Sequence, residues 1–112
     1  MILYIDTTKN DLIEIGLKKG GEFVARKKIK AERRQAEKLL PAVEKMLKAA
    51  KLKLSGIKKI EVENRGGSFT SLRVGVVTAN ALGYALGIGV NGKRIVEPEY
   101  DREPEITEKK IK

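Results

Sequence analysis

The residues of this 112-residue chain whose types and spacing could do chemistry are three acids, one glycine-rich turn and one run of bases. Asp6 closes the apolar run Ile2-Leu3-Tyr4-Ile5, a position from which a carboxylate can help hold a metal ion. Metal-assisted phosphoryl chemistry needs further acids converging on the same point. Glu61 and Glu63, two apart on a later strand-like run, are the available ones. A remnant nuclease or ATPase centred on Asp6 would use these three. The segment Asp6-Thr7-Thr8-Lys9-Asn10 lacks the glycines of a phosphate-cradling hairpin, and an aspartate there also suits capping of the following turn. Arg65-Gly66-Gly67-Ser68 precedes a helical pattern, whose free N–H groups favour anions. No Gly-Lys-Ser/Thr follows it, so it is not a nucleoside-triphosphate P-loop, and a plain strand-to-helix turn explains it. Arg73, one turn further on, suits an ion pair or an interface contact.

Composition narrows the chemistry. Histidine and cysteine are both absent. That removes the commonest general base, the usual zinc ligands, every Ser-His or Cys-His nucleophile and any disulfide. No cofactor or metal site is expected, and the chain reads as non-catalytic. There are 24 basic and 15 acidic residues, a net charge of +9. The charge is uneven, because residues from Glu97 onward carry six acids and four bases, which leaves the first 96 at +11. Arg26, Lys27, Lys28, Lys30, Arg33 and Arg34 form the densest patch. Such a patch attracts nucleic-acid phosphates, so a basic RNA-binding module is one reading. A solvated, lysine-rich face of a thermophile-like surface is the other. The chain has only five Phe and Tyr and no Trp, too few rings to build a base-stacking platform. The opening apolar run is too short for a signal sequence and no run is long enough to span a bilayer, so a soluble, cytoplasmic protein that avoids membranes is expected.

The elements that must position these residues follow from periodicity. Ile2–Asp6 reads as a buried strand. Residues 11–18 alternate as a half-buried strand, Lys19-Gly20-Gly21-Glu22 supplies a turn, and residues 23–30 run back. Ala36, Leu39, Leu40, Val43, Met46, Leu47 and Ala50 mark a helix, starting at or bending near Pro41 and stopping before Ser55-Gly56. Residues 57–63 form a fourth strand with one wet face. Ser68 or Thr70 then caps a second helix. In it Ser71, Gly75, Ala79, Gly83 and Gly87 recur every four residues, a small-residue stripe read as a groove for a neighbouring backbone. Ile88-Gly89-Val90 is a fifth strand, and Asn91-Gly92 signals a hairpin. Residues 1–96 are thus expected as one domain. Residues 97–112 are expected as an extended charged tail, anchored by Tyr100 and Ile106.

The order βββαβαβ is that of a ribonuclease-H-like, actin-type (ASKHA) half domain, an α/β fold with a mixed five-stranded sheet and two helices on one face. The segment from Arg65 to Gly75, with Gly67, Ser68, Phe69, Thr70, Leu72, Arg73 and Gly75 at its matching positions, resembles the GPGSFTGLRxG signature of the TsaB (YeaZ) family. Tyr4-Ile5-Asp6-Thr7-Thr8 resembles that family's opening LDTS. Residues 33–41 resemble its RxHSExLLP, with Gln35 at the histidine. Ala85-Leu86-Gly87-Ile88 resembles ALGI, and residues 98–106 resemble PxYLRxPE. Gly66 and Ser71 replace the family's proline and glycine. Family members are about twice as long, and here the tail motif follows the first half directly. The resemblance implies a non-catalytic role in threonylcarbamoyladenosine modification of tRNA. It also implies pairing with a TsaD-type paralogue, a further TsaE-type ATPase partner, a homodimer when alone and contact with tRNA through the complex. Pairing in that family runs through the two helices, so Leu39, Val43, Met46, Leu72, Val76, Ala79 and Asn80 are expected on the outer surface.

Overall fold

A computed structural model of the chain describes residues 1–97 and Glu99. The expected tail lies, apart from Glu97 and Glu99, outside the described residues, as do its anchors Tyr100 and Ile106. Strands β1 (Ile2–Asp6), β2 (Leu12–Lys19) and β3 (Glu22–Lys30) form the antiparallel meander, and β4 (Lys59–Val62) joins β1 in parallel. The strand order is β3-β2-β1-β4. Helix α1 (Gln35–Ala49) connects β3 to a short 3₁₀ turn at Leu54–Gly56, and α2 (Phe69–Leu86) follows β4.

Alternation decides which face is covered. Leu3, Ile5, Ile13, Ile15, Leu17, Ile60 and Val62 project to one side and are fully or almost fully buried, forming the core with the inner sides of both helices. The α1 pattern delivers Leu39, Val43, Met46 and Leu47 to that core. Pro41 neither starts nor stops α1. It sits inside the helix on the exposed side, where the lost backbone bond is most easily replaced by water.

The expected fifth strand is a correction. Ile88-Gly89-Val90 makes only an isolated parallel bridge, Val90 to Ile60. The segment is caught between the left-handed Gly87 that ends α2 and the Asn91-Gly92 turn, so three residues have no length in which to build a ladder. The turn itself is as expected, with φ of 51° and 78° at its two residues and paired bonds between Val90 and Lys93, the geometry of a two-residue hairpin. A side chain then continues what the backbone cannot. Asn91 accepts from the Val62 amide at 2.8 Å and donates to the Val62 carbonyl at 2.9 Å, copying the next rung of the sheet. Asn91→Ala leaves both groups without that partner and is expected to cost about 1–3 kcal/mol, measured by urea denaturation.

The second face of the sheet has no element over it among the described residues. Tyr4 and Phe23 meet edge to face at 5.4 Å, and Lys18 lies over both rings. Lys18 also pairs with Glu61 at 2.7 Å, and Arg26 pairs with Glu14. Burial, then the carboxylates of Asp6, Glu14 and Glu63, push the Tyr4 hydroxyl up to about 12. The Glu61–Glu63 alternation thus belongs to a face that no described element covers, with Glu63 exposed on it. No helix among the described residues is long and apolar enough to cross a membrane.

Candidate functional site

The Arg65–Gly75 segment is built by close approach of two loops. Gly67 holds φ of 76°, and a Cβ there would run into the Thr8 carbonyl, so only glycine allows this turn to lie on the β1–β2 loop. Ser68 is the cap, its Oγ accepting from the Ser71 amide at 3.1 Å. The Ser68 and Ser71 hydroxyls both reach Asn10 Oδ1, at 2.9 and 2.7 Å. Phe69 and Thr70 are exposed, and Leu72 is fully buried. The Arg73 guanidinium lies 5.4 Å from the centre of the Phe69 ring. These contacts make the segment a strand-to-helix turn.

The small-residue stripe faces inward. A Cβ on Gly75 would sit 2.7 Å from Thr7 Oγ1, and one on Gly83 would sit 2.6 Å from a Val90 methyl. Thr7 is completely buried. Its hydroxyl donates to the Ser71 carbonyl at 2.6 Å and accepts from the Gly75 amide at 3.0 Å, the two groups an undisturbed α-helix joins directly. The groove read from the stripe therefore receives β1 and the Ile88–Val90 segment of the same chain.

This orientation corrects the expected outer surface. Leu39, Val43, Met46, Leu72, Val76 and Ala79 are all 3% exposed or less. Leu39, Val43 and Met46 form the apolar side of α1, and Leu72, Val76 and Ala79 lie on or beside the α2 stripe, so both sets turn inward. Asn80 is half-buried and holds the Val96 backbone through both amide atoms, each at 2.9 Å. The outward residues of α2 are those two positions away from the stripe, about 200° around the helix: Phe69, Arg73, Val77, Ala81 and Ala85, with Tyr84 beside them. Phe69 is 42% exposed, Val77 54% and Tyr84 89%. Arg73 is the one charged residue in the 18-residue helix. A shallow cavity of about 380 Å³ runs between the helices, lined by Ala36, Phe69, Arg73, Val74, Val77 and their neighbours, and Leu40 on α1 is 47% exposed. The sequence holds only a conditional signal for this face. A small-residue stripe that packs inward leaves its opposite side as the outer one.

Asp6 is committed to its own turn. Its Oδ1 accepts from the Thr8 amide at 2.8 Å and the Thr8 hydroxyl at 2.6 Å, and Tyr4 approaches its other oxygen at 3.4 Å. Glu61 is held by Lys18. Among the described residues no group of three or more acids is placed to share a metal ion. Gln35 anchors the start of α1, its Nε2 reaching the carbonyls of Thr7, Lys9 and Leu12 at 3.2, 2.5 and 2.9 Å. Of the basic patch, Arg26 is pinned by Glu14 and lies over Phe23 at 4.3 Å. Lys27, Lys28, Lys30, Arg33 and Arg34 are exposed.

Comparison with known proteins gives a family match. The family model described as TsaD, tRNA N6-adenosine threonylcarbamoyltransferase, matches residues 26–92, more than half of the chain. Among solved structures, YeaZ from Pseudomonas aeruginosa superposes with a TM-score of 0.72 at 27% identity, over 80% of this chain and 41% of that one. A second, an uncharacterized protein with similarity to peptidase YEAZ from Pseudomonas aeruginosa, gives 0.72 at 26% identity, over 86% of this chain and 42% of that one. The chain thus spans about two-fifths of the length of these relatives. No curated protein matches.

Proposed function

Since this chain belongs to the TsaD family, described as tRNA N6-adenosine threonylcarbamoyltransferase, we propose that it serves tRNA threonylcarbamoyladenosine formation as a non-catalytic partner, pairing through the outer side of its two helices with a TsaD-type transferase. A second copy of the chain takes the same face when that partner is absent. The observation that carries this reading is the outer side of α2. A helix that is apolar all round belongs in an interior. Here the sheet covers only one side, and Phe69, Val77 and Tyr84 stand out on the other.

The non-catalytic part rests on what the acids are doing. Asp6 is occupied by Thr8, Glu61 by Lys18, and no histidine exists to move a proton. Group transfer onto adenosine would then use the partner's groups, and this chain would contribute a docking surface. Co-expression with the TsaD homologue of the same organism, followed by purification through a tag on one chain, tests the reading. Co-elution in a fixed stoichiometry is the expected result. A monomeric elution with no complex would sink it.

A further inference from the structure

We propose that the edge of β3 and the turn leading into α1 form a ridge that binds the phosphate backbone of double-helical RNA. The choice of RNA rests on the tRNA-modification reading above; the ridge itself rests on geometry. Strand β3 is an outer strand of the sheet. Its register sets Lys28 and Lys30 opposite Glu14 and Leu12 on the open face, and Lys27 opposite Ile15 on the helix face. Bases therefore fan to both sides of one edge. The chain then turns with Arg34 N–H donating to the Ala31 carbonyl at 2.7 Å and Arg33 left-handed at φ of 56°, a conformation few non-glycine residues adopt. Gln35 fastens this turn to the carbonyls of the β1–β2 loop, so the two arginines stand on a fixed support.

Among the described residues these bases have no ion-pair partner to lose. The ion pairs among the described residues are Lys18–Glu61, Arg26–Glu14 and Arg65–Glu99, and none of them uses Lys27, Lys28, Lys30, Arg33 or Arg34. Lys9, whose carbonyl Gln35 holds, and Lys38, 3.4 Å from the Lys30 carbonyl, extend the patch. The acids alongside are Asp11, Glu14, Glu32 and Glu37, so with Arg26 counted the bases outnumber the acids by eight to four. Guanidinium forks match phosphate oxygens, and an unpaired pair of them on a rigid turn loses little entropy on binding.

The class of nucleic acid follows from what the ridge lacks. Single strands are gripped by stacking bases on aromatic rings. The rings on the sheet beside β3, Tyr4 and Phe23, are already faced by each other, by Lys18 and by Arg26, and the Phe69 ring beyond Arg33 lies against Arg73. Contact is left to phosphates and to helix shape, the mode by which duplex RNA is recognised. A membrane surface would need an apolar anchor beside the charges, and among the large apolar side chains on β3 only Val24 is exposed.

The test is fluorescence anisotropy of the full chain with a labelled RNA duplex of about 16 base pairs. With about four or five phosphates neutralised, affinity should fall by about 10²-fold between roughly 50 and 200 mM salt. The double substitution Arg33→Asn and Arg34→Gln removes two charges while giving the left-handed position a residue that accepts it. It should weaken binding at least about tenfold and flatten the logarithmic salt slope by about 2. The Lys28→Gln and Lys30→Gln pair should act in the same direction. Circular dichroism confirms that each variant is folded. Absence of binding, an unchanged slope in both double variants, or equal or tighter binding to single-stranded RNA, duplex DNA or anionic vesicles would each overturn the proposal. Helix-mediated pairing is carried by Phe69, Val77 and Tyr84 on α2, which the Lys28→Gln and Lys30→Gln pair on β3 leaves untouched, so co-purification with the transferase should survive that pair whichever way the RNA result falls.

Discussion

Val77→Glu is expected to abolish co-purification with the TsaD-type partner while leaving the isolated domain as stable as before. Val77 is 54% exposed on the outer stripe of α2, so the monomer loses little by the exchange. Surface substitutions of this kind usually stay within about 0.5 kcal/mol, and glutamate is a slightly better helix former than valine. In a complex the same position would be dehydrated. Even with Arg73 one turn away on the same stripe, a carboxylate dehydrated at an interface costs several kcal/mol, and about 3 kcal/mol is already more than a hundredfold in Kd. Thermal denaturation of the variant alone, next to a pull-down at equal concentrations, separates the two effects. Retained complex would show that pairing uses another surface. A collapse of the melting temperature would show that Val77 is packed within the domain.

The second large effect is on the opposite side of the same helix. Gly75→Val should destabilise the fold by about 3 kcal/mol or more, combining overpacking with loss of a buried hydrogen-bonded hydroxyl. A Cβ there meets Thr7 Oγ1 at 2.7 Å and an Ile5 methyl at 3.4 Å, and both belong to the tightly packed end of β1. For a domain of this size such a loss lowers the melting temperature by about 15 °C. Gly75→Ala should cost less, because alanine returns about 1 kcal/mol of helix propensity. Ala81→Val, exposed on the outer stripe, should be close to neutral. If Gly75→Val melted with the wild type, the helix could not be seated on the Thr7 hydroxyl.

These two substitutions mark where the sequence is readable and where it is not. Strand β1, the three-strand meander and the Asn91-Gly92 turn follow from alternation and turn chemistry, because each of those signals is local. The direction of α2 is not local. With one charge in 18 residues, no polar face tells the helix which side to turn outward, and the choice falls to which backbone can come close. Only the positions of Thr7 and Val90 in space show that the glycines are needed beneath the helix rather than outside it. The fifth strand failed for a related reason. An apolar triplet between two turns looks like a strand, yet the rung that matters there is supplied by the Asn91 side chain. Side-chain amides do similar work at Gln35 and Asn80, tying down segments that periodicity cannot place. The motif from Arg65 to Gly75 was legible as a turn and a helix start, while the apolar face it introduces emerged from the packing.

The Asn91 amide has a consequence for how copies of this protein behave when crowded. An open sheet offers its outermost strands as templates on which another chain can add a strand, the first step towards aggregation. On the β4 side the Val62 backbone groups are engaged by Asn91, and the Asn64–Gly66 stretch beyond is engaged by Glu99. On the β3 side the barrier is electrostatic, since two such edges approaching one another would bring like charges together along Arg26 to Lys30. One border is closed by an amide that imitates a neighbour and the other by mutual repulsion, so a sheet with one face uncovered among the described residues is still discouraged from growing.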